Sequence, residues 1–259
     1  MKVLQILPQL NIGGVERGTL DLSKALIHKG HESFVISGGG ILVDELEQLG
    51  AKHYEIPVHI KSLRTLSLAK SLSETISSID PDIVHIRSRM PAWVNYRAFK
   101  MLQKKPLLVS TFHGLYSFPI YSKVMSFVDH SIAISKTVES YILENYKLNK
   151  NDITVIPRGC DPVEFNNDEI NPDDKAEIIN EFPQIVGKTV LTIPGRITKW
   201  KGVAEFIELL SLLDDNYHGL IVGPTAKSKK KYLNKLQNKV SSLHLEDKIT
   251  FTGSRRDIA

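Results

Sequence analysis

The 259-residue sequence holds one cysteine, Cys160, so no intramolecular disulfide can form and a reducing compartment fits. No stretch approaches the roughly 20 apolar residues that a membrane-spanning helix needs. The opening apolar run, residues 3–7, is too short for a signal peptide and stops at Pro8. Charge of one sign is not in excess: 33 basic against 29 acidic residues leave a net +4, without the imbalance of a nucleic-acid-binding domain. No His/Cys cluster has zinc spacing, and there is no G-x-S-x-G or P-loop lysine motif. Asp80-Pro81-Asp82 matches the D-x-D metal pattern in form only. It precedes its strand and so belongs at the opposite edge of the sheet from any ligand crevice. What remains is the ordinary make-up of a globular protein, 42% hydrophobic and 24% charged.

Short Val- and Ile-rich runs alternate with longer amphipathic segments. Residues 3–7, 33–37, 53–56, 83–86, 107–112, 131–134 and 153–156 read as strands, as do 190–193, 219–222 and 249–251. Residues 15–29, 42–49, 66–79, 92–102, 137–146, 204–213 and 229–243 read as helices, with Gly30 and Gly50 closing the first two. This alternation predicts α/β architecture with parallel sheets covered by helices. The chain changes character at the acidic, Asn-rich stretch 161–174, which reads as a linker leading to a bridging helix near Pro172–Glu181. The expected organisation is therefore a Rossmann-like domain over 1–165, a linker and bridging helix over 166–188, and a second, partial Rossmann-like domain over 189–259. The second series has three strands and two helices, half of a usual doubly wound sheet, so a truncated chain is expected. The basic run from Lys227 to Lys239 reads as a solvated helix face.

Ligands of open parallel sheets bind beyond the carboxyl ends of the strands. There the sequence places Gly13-Gly14, Arg87-Ser88-Arg89, His113-Gly114, Arg158-Gly159, Gly195-Arg196 and Gly223-Pro224, with hardly a carboxylate among them. Glycines admit backbone N–H groups, helix N-termini favour negative charge and arginines offer paired donors, so this edge is suited to an anion. Gly13, Gly14 and Gly18 do not make G-x-G-x-x-G, and no acidic residue cleanly ends the second strand, which disfavours a nicotinamide dehydrogenase. The sharpest signal is the run from Gly195 to Gly202, in which Arg196 and Lys201 can both face a site above the strand end and neutralise a departing diphosphate. Trp200 reads as a packing residue and Lys199 as solvent-facing. His113 ends a buried strand and faces the crevice, whereas His85, inside its strand, reads as a satisfied core histidine. Arg87 and Arg89 would point to opposite sides if their strand continued, one serving the site and the other packing or pairing.

Together these motifs resemble the group 1 (family 4) retaining glycosyltransferases of GT-B fold. Gly13-Gly14-Val15-Glu16 is similar to the family's glycine-rich acceptor-side loop, and Ser110-Thr111-Phe112-His113-Gly114 to its T-x-H-G segment. The run from Val155 to Phe165 resembles its V-I-P-N-G-V-D-…-F stretch, with Arg158 at the asparagine. Pro194 to Gly202 resembles its G-R-L-x-x-x-K-G motif and Phe251-Thr252-Gly253 its F-x-G strand. The resemblance implies metal-independent, retaining transfer of a sugar from a nucleotide-diphosphate sugar, a co-substrate rather than a cofactor, to a glycan or glycolipid acceptor. It places Arg196 and Lys201 on the donor diphosphate, Gly14 against it and His113 near the donor sugar. Gly13, Glu16, Arg87, Arg89, Gly114, Arg158, Gly195 and Gly223 would line the substrate sites.

Residues 85–93 resemble a subset that builds lipopolysaccharide or capsule. This implies a cytoplasmic enzyme, peripheral at the inner face of the membrane if its acceptor is a lipid. The family's E-x7-E element, which grips the donor ribose, is not among these residues, so weak or absent activity is expected of residues 1–259 alone. Two rival readings are a GT-B sugar-nucleotide epimerase, which needs acid/base carboxylates that these strand ends lack, and a non-catalytic acceptor- or partner-binding fragment. A glycoside hydrolase would need paired carboxylates about 5–10 Å apart.

Overall fold

The computed structural model describes residues 1–60, 62–116, 119–160, 162, 165, 166, 171–255 and 257. The chain divides into two compact units, Met1–Gly159 and Cys160–Ala259. The linker expected over 161–174 falls largely outside the described residues.

The first unit runs β1 (Lys2–Ile6), α1 (Gly14–His28), β2 (Glu32–Ser37), α2 (Val43–Gln48), β3 (Lys52–Glu55), α3 (Ala69–Ile79), β4 (Ile83–Ile86), α4 (Arg89–Phe99), β5 (Leu107–Phe112), α5 (Pro119–Ser122), β6 (His130–Ala133), α6 (Lys136–Asn145) and β7 (Ile153–Val155). Its seven strands form one parallel sheet in the order β3-β2-β1-β4-β5-β6-β7. Strand order reverses between β1 and β4, the point at which a doubly wound sheet opens a crevice at its carboxyl edge. Alternation along the strands sorts the core. Leu4, Ile6, Phe34 and Ile36 pack with Leu72 and Ile76 of α3 and Val94 of α4, while Val35 joins Leu20 of α1 and Leu46 of α2 in a separate cluster. Each such side chain removed from water contributes about 1.5–3 kcal/mol.

Helix starts explain where sequence expectation and structure part. Helix α4 begins at Arg89, three residues ahead of the expected start, because Ser88 is extended and Pro91 sits in the first turn, where no intrahelical N–H bond is lost. The β4 strand therefore does not continue through Arg89. The segment expected to be helical from residue 66 opens instead with a 3-10 stretch, Leu63–Leu68, before α3. Asp80, in left-handed conformation, closes α3 and pairs with Lys104 at 2.7 Å, while Asp82 accepts a hydrogen bond from the Lys2 amide at 2.7 Å. Both aspartates of the D-x-D pattern thus have structural partners.

The second unit contains α7 (Pro172–Glu181), β8 (Thr189–Pro194), α8 (Val203–Ser211), β9 (Tyr217–Val222), α9 (Lys230–Ser242) and β10 (Ile249–Gly253). Helix α7 starts where the sequence says it should: Asn171 accepts from the Asp173 amide, Pro172 is in the first turn, and Asp173 and Asp174 meet the positive end of the helix. The three strands are parallel in the order β10-β9-β8. Ile207 and Leu210 of α8 and Leu236 and Val240 of α9 form a core with Ile221 and Ile249. A smaller cluster sets Phe182 and Ile185 against Leu220 and Val222. Arg255 ties the segment after β10 to α7 through Glu181 at 2.7 Å and lies over the Phe182 ring. Lys230, Lys231 and Lys235 are exposed along α9, and Lys239 pairs with Glu208, as a solvated helix face requires.

Candidate functional site

In the first unit, the sequence places a glutamine inside the apolar strand β1, and the structure buries it completely. Gln5 donates through Nε2 to the Thr19 carbonyl and the Ser23 hydroxyl of α1, and its Oε1 accepts from Arg87 Nη1 at 2.7 Å. Arg87 follows directly on β4, next to β1 at the strand-order reversal, and is only 6% exposed. Its Nε has no hydrogen-bond partner. Arg158, which follows β7, reaches back to donate to the carbonyl oxygen of Gly14 at the start of α1. Both guanidinium groups converge on Gly18: a methyl group there would overlap Arg158 Nη2 and lie 3.2 Å from Arg87 Nη2. Among the described residues neither arginine makes an ion pair. Burial first and the charge of Arg158 second pull Arg87 down to about 10, against the opposing pull of Asp21 and Glu16. Glu16 folds its carboxylate back over Gly13, and Gly13 provides no side-chain cap for α1.

His113 lies just past β5, and both of its ring nitrogens are buried without a partner. Burial, then Arg87 and Arg158, hold it down to about 3, so the ring is neutral at physiological pH. His85 is likewise held near 3, chiefly by burial, and bonds Thr111 Oγ1 at 2.7 Å, as a satisfied core histidine does. Gly114 has φ 153, a backbone conformation that disfavours side chains, and opens the turn that brings the Tyr116 hydroxyl 3.5 Å from the His113 amide. Arg89 packs on aromatic rings. Its guanidinium lies over the Tyr116 and Tyr121 rings, 4.8 and 5.5 Å from their centroids.

In the second unit the carboxyl edge is made of bare backbone. Gly195 donates to Val222 O and Gly223 to Gly253 O, each at 2.7 Å. A side chain at Gly223 would overlap the Gly195 carbonyl, so glycine is required there. The aliphatic part of Lys201 folds over Gly195, its Cδ 3.6 Å from where a Cβ would be. Arg196 and Lys201 are exposed, and neither is paired with a carboxylate among the described residues. The Thr198 hydroxyl is buried without a partner. Trp200 is not a packing residue. It is 72% exposed, because the single 3-10 turn Lys199–Lys201 carries it outward, and its ring carries the Lys201 ammonium at 4.9 Å.

The structure thus brings Gly14, Arg87, His113 and Arg158 into one neighbourhood and Gly195, Arg196, Lys201 and Gly223 into another. Sequence reasoning passed over Gln5 and read Gly18 only as a position in the glycine register of α1. The signals were a lone amide in an apolar strand and a glycine inside a helix. Among the described residues, no group of three or more His, Cys, Asp or Glu is placed to hold a metal ion, and no helix is long and apolar enough to cross a membrane.

Family models match the chain over two stretches, Glycosyltransferase Family 4 over residues 12–164 and Glycosyl transferases group 1 over residues 174–259. The chain belongs to glycosyltransferase family 4. This family 4 chain is 33% identical to a glycosyltransferase from Rickettsia africae, whose crystal structure matches with a TM-score of 0.83 over 99% of the chain and 69% of that protein. It is 32% identical over 152 residues to an uncharacterized glycosyltransferase of Methanocaldococcus jannaschii, a stretch covering 50% of the chain and 36% of that protein. The chain therefore matches little more than a third of the length of its curated relatives. At 20% identity, Anabaena HepE in complex with UDP-glucose shares the fold, with a TM-score of 0.84 over 100% of the chain and 70% of that protein. Two Rossmann-like units with parallel sheets and these neighbours make the family 4 chain a GT-B protein.

Proposed function

We propose that the protein is a retaining, metal-independent glycosyltransferase that moves a sugar from a nucleotide-diphosphate sugar to a glycan or glycolipid acceptor in cell-surface polysaccharide biosynthesis. One observation carries the reading: among the described residues, Arg196 and Lys201 have no carboxylate partner and stand beside the bare Gly195–Gly223 backbone at the carboxyl edge of the second sheet. Two cations there neutralise the charge that grows on a diphosphate as the glycosidic bond breaks, which lowers the barrier without a metal. The UDP-glucose bound to HepE, a protein of the same fold, supports a nucleotide-sugar donor. The resemblance of residues 85–93 to the lipopolysaccharide and capsule subset supports the acceptor class.

His113 has a narrower role in this reading. A ring held near 3 cannot deliver a proton at neutral pH, so it serves as a neutral hydrogen-bonding group toward the donor sugar rather than as a general acid. A thermal-shift panel of nucleotide sugars tests the proposal. One donor should raise the melting temperature, and both Arg196→Ala and Lys201→Ala should abolish the rise. A shift that survives both substitutions rules out the assigned diphosphate site.

A further inference from the structure

We propose that Arg87 and Arg158 form a second anion site, within the first unit, that binds a phosphoryl group carried by the acceptor. The proposal rests on the transferase reading, in which the donor diphosphate belongs to Arg196 and Lys201.

Four observations carry it. Two guanidinium groups meet at one spot over Gly18 and have no ion pair among the described residues, although Asp21 and Glu16 lie near enough to act on Arg87 through their charge. Arg87 is 94% shielded from solvent by its 6% exposure, yet its Nε is left without a partner, so a buried donor is held in reserve. The neutral Gln5 amide fixes Arg87 without cancelling its charge. The 15-residue helix α1 starts beside them with no side-chain cap, and its N-terminus favours negative charge. Two arginine forks match the charge and the oxygen geometry of a phosphate dianion better than those of a single carboxylate. Nearby Glu16 lies over Gly13 and bounds the site on its acidic side.

The test uses the full chain and inorganic phosphate as the probe, read by thermal shift and calorimetric titration, with acetate as the control anion. Phosphate should bind and acetate at equal concentration should not. Arg158→Gln, at an exposed position that does not threaten folding, should weaken phosphate binding at least tenfold. Gly18→Ala, which displaces Arg158, should do the same, and Lys231→Ala, on the solvated face of α9, should leave phosphate binding unchanged.

Two further arms, glycerol 3-phosphate in solution and vesicles of phosphatidylcholine containing phosphatidic acid, separate a free acceptor from a lipid-borne one. Binding in either arm should be lost in Arg158→Gln. Phosphate binding that is indifferent to Arg158→Gln and Gly18→Ala, or matched by acetate, overturns the site. If UDP binding falls as much in Arg158→Gln as in Arg196→Ala, the arginine pair belongs to the donor and this proposal fails while the transferase reading stands. If UDP binding ignores Arg196→Ala and Lys201→Ala, the transferase assignment fails on its own.

Discussion

The two units build their carboxyl edges from the same parts, glycine and basic residues after parallel strands, and treat the charge in opposite ways. In the first unit Arg87 is buried and braced by Gln5, which is itself held by Thr19 and Ser23 of α1. In the second, Arg196, Trp200 and Lys201 stand in solvent above a glycine backbone. The first arrangement fixes geometry at the expense of folding stability. The second costs little to fold and leaves ordering of the side chains until a ligand arrives. Charge at a strand end is thus one design with two settings, buried and braced or exposed to solvent.

The comparison breaks if the buried network proves expendable. Gln5→Leu removes the one acceptor that the described residues offer a buried guanidinium and should lower stability by about 2–4 kcal/mol, read as a lower urea midpoint. A change below about 0.5 kcal/mol would mean that Arg87 is not held as described.

A smaller effect sharpens the contrast through pH. His85 and His113 have folded values near 3, below the ordinary histidine value of 6.5. Below 6.5 the unfolded chain takes up protons that the folded rings refuse, so the unfolded state gains as pH falls. Stability contributed by the neutral rings is full above 6.5 and declines from there toward 3, by at most about 1.4 kcal/mol per pH unit for each ring. His113→Gln should flatten part of that decline in melting temperature between pH 6.5 and 4, and an unchanged slope would contradict the burial of its ring. The second unit should give the smallest response. Arg196→Ala and Lys201→Ala should each alter stability by no more than about 0.5 kcal/mol in urea denaturation, since both side chains are exposed and make no ion pair among the described residues. A loss above 1 kcal/mol would show a structural role that the exposed geometry does not contain.

Much of this molecule can be read from its residues in order. Strands β4 and β5 begin and end where the apolar runs do, because a strand buried on both faces has no other way to satisfy water and backbone together. Gly30 and Gly50 follow the first two helices with positive φ, as their positions after amphipathic runs require. Boundaries slipped where local chemistry outranked periodicity, as at Arg89, where an extended Ser88 and a first-turn proline started α4 early. Trp200 was misread because an aromatic beside apolar strands suggests packing, whereas a single 3-10 turn decided its direction.

The sequence by itself determined the alternation of strands and helices, the parallel sheets and the chemistry of the loops after each strand, because those properties are written in local periodicity and in residue type. Only the tertiary structure decided that Arg158, 144 residues from Gly14, would share its end of α1, that Gln5 would brace Arg87 and that Arg89 would turn onto two tyrosines. Those outcomes depend on the order in which strands join the sheet and on which face of a helix meets them, and neither is recorded in the neighbours of any one residue.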